Sequence, residues 1–123
     1  MKAVIRQEDW SKGKVVKTQK FEYDIVLNKR VEVAYRDAYE TQVFDDETRN
    51  FTYKELLLAF TPVDSYDGNV VFLFEGEAVC DSYVDNDIKF VASAFARVSV
   101  GGMGEMRTNT LDSGSTFYFT LVD

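Results

Sequence analysis

Val100–Met106 (VGGMGEM) holds three glycines within four positions, a density that lets backbone N–H groups approach a phosphate. A phosphate loop of the G-x-x-x-x-G-K-[ST] type needs Lys and Ser or Thr after its last glycine, but Glu105 and Met106 follow Gly104. The dinucleotide pattern G-x-G-x-x-G begins at Gly102-Met103-Gly104 and then meets Arg107 at its last position. Both loops also open a helix, and MRTNTL, the sequence from Met106, is threonine-containing and unhelical. Gly101, Gly102, Met103 and Gly104 therefore read first as a flexible connection between strands. The second reading is a small-ligand loop, with adaptable methionine contacts.

Other catalytic residue types are scarce. Histidine is absent, which removes the commonest general base and the commonest transition-metal ligand. Cys80 is the single cysteine, so an internal disulfide, a Cys-His nucleophile and a structural zinc site are all excluded. Acidic neighbours disfavour a thiolate, and Asp81 follows Cys80, so this cysteine reads as core filler. The carboxylates fall in groups: Asp45, Asp46 and Glu47; Glu75 and Glu77; Asp81, Asp85 and Asp87. A calcium loop begun at Asp81 would place Tyr83, Asn86 and Ala92 at three essential positions, and all three fail. Glu75 and Glu77 share a strand parity, as the paired acids of a glycosidase could, without a supporting motif. No metal ligand, cofactor or catalytic residue is assigned, and a non-enzymatic protein is expected.

The elements that would position these groups are mostly strands. Aromatics make up 15% of the chain, including ten Phe and seven Tyr, and stiff side chains of this kind favour sheets. Lys2–Arg6 suits a first strand and Glu8–Lys14 a turn or loop. Phe21, Tyr23, Ile25 and Leu27 share one parity with Glu22 and Asp24 on the other, and Val31, Val33 and Tyr35 alternate with Arg30, Glu32 and Arg36. With Asn28-Lys29 between them, the pattern predicts a hairpin over 21–36. Its register conflicts, because Leu27 opposite Arg30 puts Ile25 opposite Glu32. Alternation extends through Tyr39, Thr41 and Val43 to a charged loop, Asp45–Asn50. Thr52 and Glu55 form a capping box, flanked by a Phe51/Leu56 staple, which predicts a short helix near 53–60 that Pro62 ends. An Asp-Gly turn at Asp67-Gly68 leads to Val70–Phe74, a buried strand. Ile88–Val100 fits strand better than helix, and a second hairpin is expected over 106–122. Gly114–Leu121 (GSTFYFTL) resembles the last strand of histidine-kinase ATPase domains over eight residues. That family's Asn-bearing helix and glycine-rich ATP boxes are missing, so its activity is not carried over. The expected fold class is α+β, a mainly antiparallel sheet of about six or more strands with one helix, in a single domain, 1–123.

Charge narrows the function. The net charge is −7, unevenly spread: residues 1–36 hold nine Lys/Arg against five Asp/Glu, and residues 37–123 hold five against sixteen. The acidic part argues against nucleic-acid binding. No apolar run exceeds the five residues of Val70–Phe74, far below the roughly 20 residues of a membrane span, so no membrane partner is expected. No signal-peptide core is visible, and with one cysteine a cytoplasmic location is expected. The leading expectation is an acidic and aromatic surface that binds a basic protein partner, as an inhibitor from a phage or mobile element would. Its face would comprise Asp45, Asp46, Glu47, Asp81, Asp85 and Asp87. The alternatives are an assembly subunit that forms homo-oligomers and a small-molecule binder closed by Gly101–Gly104.

Overall fold

Val70, Phe72 and Phe74 are buried and alternate with half-open neighbours, so the apolar run forms a strand with one face inward. The same logic organises most of the chain in a computed structural model, which describes residues 1–79, 92–108 and 113–123. Eight strands are present among these residues: β1 (Lys2–Ser11), β2 (Lys14–Asp24), β3 (Val31–Phe44), β4 (Glu47–Tyr66), β5 (Asn69–Gly76), β6 (Ala92–Ser99), β7 (Met103–Arg107) and β8 (Ser113–Val122). They form two antiparallel sheets, ordered β2-β1-β8-β7 and β3-β4-β5-β6. The sheets stack through aromatic side chains. Phe119 of β8 meets Phe60, Phe72 and Phe74 of the opposite sheet edge-to-face, with ring centroids 5.0–5.5 Å apart. Ala3, Ile5, Phe117 and Leu121 complete the first sheet's inner face. Each fully buried Phe contributes about 1.5–3 kcal/mol, so this cluster is the main adhesive between the sheets.

The mainly antiparallel expectation holds, but the helix does not. Residues 53–60 lie inside β4, and the one helical piece among the described residues is a single 3-10 turn at Glu77–Val79. Long-range pairing with β3 overrides the local capping signal. Glu55, the would-be capping residue, pairs across the ladder with Arg36 instead. The fold is therefore nearly all-β, and its one short helical piece among the described residues lies at 77–79 rather than near 53–60.

The hairpin over 21–36 is also corrected. Its two strands exist, but β2 belongs to one sheet and β3 to the other. The chain crosses between sheets at 25–30, where the Ile25 N–H donates to the Met1 carbonyl and the Asn28 N–H to the Pro62 carbonyl. β2 pairs instead with β1 through Lys12-Gly13, both at positive φ, so the expected loop at Glu8–Lys14 shrinks to a two-residue turn. The Asp67-Gly68 turn between β4 and β5 forms as expected. Ala92–Ser99 is strand, while 88–91 lie outside the described residues. β7 pairs with β8, so the second hairpin forms, with its first strand starting at Met103.

Val100, Gly101 and Gly102 carry the chain from the second sheet to the first. The Gly101 N–H donates to the Leu121 carbonyl at 2.7 Å, and the Val100 N–H donates to the Gly68 carbonyl at 2.9 Å. Gly101 sits at φ +83°, a conformation that side-chain-bearing residues rarely adopt. Gly101 and Gly102 thus connect the two sheets, and Met103 and Gly104 open β7.

Candidate functional site: the β3–β4 arm

β5 pairs with β4 only from Ala59 onward, whereas β3 pairs with β4 out to Phe44↔Glu47. Beyond that limit β3 and β4 have no third strand among the described residues. From Asp37↔Lys54 to Phe44↔Glu47 they run as a ribbon of eight pairs, about 23 Å long at about 3.3 Å per residue. The ribbon leaves the sandwich at a bulge, where Leu57 of β4 has no partner between Ala34↔Leu58 and Tyr35↔Leu56.

Both faces of this arm carry exposed apolar side chains. Register places Tyr35, Tyr39 and Val43 on one face, and Phe44, Phe51 and Tyr53 on the other. Tyr39 is 78% exposed, Val43 68% and Phe44 51%. Cross-strand contacts hold the ribbon together: Lys54 with Asp37, and the Thr41 hydroxyl donating to Asn50 Oδ1 at 2.8 Å. At the root, Arg36 donates from Nε to Glu55 at 2.7 Å and from Nη2 to Glu77 at 2.6 Å, so the arm is tied to the 3-10 turn. Nearby, the Tyr35 hydroxyl and then the Arg30 guanidinium hold the Glu32 carboxyl below its ordinary pKa, while the same bond raises the Tyr35 phenol.

Asp45 and Asp46 form the arm's turn, at φ +46° and +64°, and Glu47 begins the return strand. The expected charged loop is only this turn. Half of the predicted acidic face therefore sits at the tip of a projection. Asp81, Asp85 and Asp87 lie outside the described residues, as does Cys80. Glu75 and Glu77 do not act as a pair of free acids: Glu75 is bound to Arg30 at 3.2 Å and Glu77 to Arg36. Among the described residues no cluster of three or more ligand-type side chains could hold a metal. No helix among them is long and apolar enough to cross a membrane.

Met103 lies on the outer face of the first sheet. It lines an open depression of about 290 Å³ together with Val4, Arg6, Lys20, Tyr118 and Thr120. Arg6 lies 4.4 Å over the Tyr118 ring and also pairs with Glu8 at 3.3 Å. Gly101 and Gly102 are tied into the sheet connection, and Phe60, Phe72, Phe74, Phe117 and Phe119 are in the core.

Sequence reasoning found the tip acids but missed the arm that carries them. The available signal was the alternation through Tyr39, Thr41 and Val43, followed at once by two residues that tolerate positive φ. No protein-family model matches the chain, and neither does any curated protein or solved structure.

Proposed function

We propose that this chain is a non-enzymatic protein-binding module that builds assemblies through its β3–β4 arm. One observation carries the reading: an eight-pair ribbon with exposed apolar side chains on both faces and, among the described residues, no third strand on either edge. An isolated two-stranded ribbon is marginal in water, and long open edges are normally blunted or covered. A protein surface laid against Tyr39, Val43, Phe44, Phe51 and Tyr53 would cover them. The acidic tip supports the related expectation of a basic protein surface as the receiving partner.

Analytical ultracentrifugation tests this. The native chain should associate with rising concentration, and a Tyr39→Ser/Phe44→Ser/Phe51→Ser variant should sediment as a monomer with an unchanged circular-dichroism spectrum. Native protein that stays monomeric at every concentration, or a variant that associates as well as the native chain, would refute the proposal.

A further inference from the structure

The chain holds a surface complementary to its own arm tip. The β1–β2 hairpin ends in Lys12, Lys14 and Lys17, with Val15 and Val16 between them, both more than half exposed. Among the described residues none of these three lysines makes an ion pair, and neither does Asp45 or Asp46. β2 is also an edge of its sheet among the described residues. Two exposed hairpin ends therefore carry the same design with opposite charge: two apolar side chains beside three lysines, and Val43 and Phe44 beside three acids.

Their placement suits mutual contact. The β4–β5 turn meets the Leu121 end of the first sheet through the Val100 and Gly101 bonds. By register, Lys12-Gly13 lies at the other end of that sheet and Asp45-Asp46 at the other end of β4, so both tips leave the sandwich at one end. A two-fold axis at that end would let each copy's arm tip meet the other's hairpin, a self-complementary contact.

We infer that the partner of the arm is a second copy of this chain, whose Lys12–Lys17 hairpin end receives the acidic tip. The inference rests on the reading of the arm as an assembly surface and names what it docks on. Opposite charges at a solvent-open contact act through attraction that salt screens, so association weakens as salt rises.

Charge exchange tests it. The tip variant is Asp45→Asn/Asp46→Gly/Glu47→Lys, where Asn-Gly suits the positive-φ turn better than Asp-Asp. The hairpin variant is Lys12→Asn/Lys14→Glu/Lys17→Glu. Sedimentation at low salt should show each variant alone with its dissociation constant raised roughly tenfold or more, and an equimolar mixture associating again. Rescue by mixing also shows that both variants fold. A mixture that stays monomeric, or single variants that associate like the native chain, would overturn the inference. If the serine variant of the arm is monomeric while both charge variants associate normally, the arm reading stands and this one fails.

Discussion

Arg36 ties the arm to the body of the second sheet, and Arg36→Met removes that tie while keeping most of the apolar stem. The guanidinium bonds Glu55 and Glu77 at 2.7 and 2.6 Å, and the three side chains are 31%, 13% and 11% exposed. A hydrogen bond to a charged group is worth about 1.5–3 kcal/mol, and a partly open guanidinium lies at the low end of that range. The variant also leaves two poorly hydrated carboxylates close together without the cation between them. The expected loss is about 2–3 kcal/mol. Urea unfolding should show a lower midpoint with an unchanged slope, since the surface exposed on unfolding is the same. Adding Glu77→Gln should return part of the loss by removing one of the facing charges. Hydrogen exchange should report faster opening of the arm amides than of β5. A loss below about 0.5 kcal/mol, the level of an ordinary surface pair, would refute the tie, and so would a double variant no more stable than the single.

Phe119→Ala empties the centre of the aromatic cluster and should cost about 3–5 kcal/mol in denaturant unfolding, whereas a cost near 1 kcal/mol would mean that the sheets close over the gap. Gly76 sits at φ +122°, and a Cβ there would lie 2.5 Å from the Leu57 carbonyl oxygen, so Gly76→Ala should destabilise by about 2–4 kcal/mol in thermal unfolding. Glu32 titrates below its ordinary value because it accepts from Tyr35 and Arg30. Its contribution is thus complete above the ordinary carboxylate range and is lost as pH falls through the lowered value. NMR titration of Tyr35→Phe should move the Glu32 midpoint upward, and an unmoved midpoint would remove the hydroxyl as the main cause.

Strands that bury one face were readable from the sequence, and β5 is the plainest case. What failed was partner choice. Asn28-Lys29 looks like a two-residue turn, but Tyr23 of β2 and Val31 of β3 both pack against the core from different sheets, which requires a crossover. The conflict of Leu27 with Arg30 was the trace of that fact. Thr52 and Glu55 satisfy a helix start locally, yet β3 offers Phe51–Phe60 a ladder that no window around Thr52 can reveal. The bulges at Val33 and Leu57 blur the alternation that would have marked β4 as strand. The site was half legible for the same reason: the acids are local in sequence, and the arm depends on where β5 stops pairing.

The pairing of β1 with β8 along its whole length has a consequence for folding order. As the chain is synthesised, β3, β4 and β5 can form their meander early, because each pairs with its neighbour in sequence. The first sheet cannot close until Ser113–Val122 has been made, since β8 lies between β1 and β7. Until then Phe60, Phe72 and Phe74 face water on the side that Phe119 will fill. Contacts between segments far apart in sequence form slowly because the loop they close is long. The late arrival of one strand thus sets the interval in which a nascent chain is most exposed to aggregation.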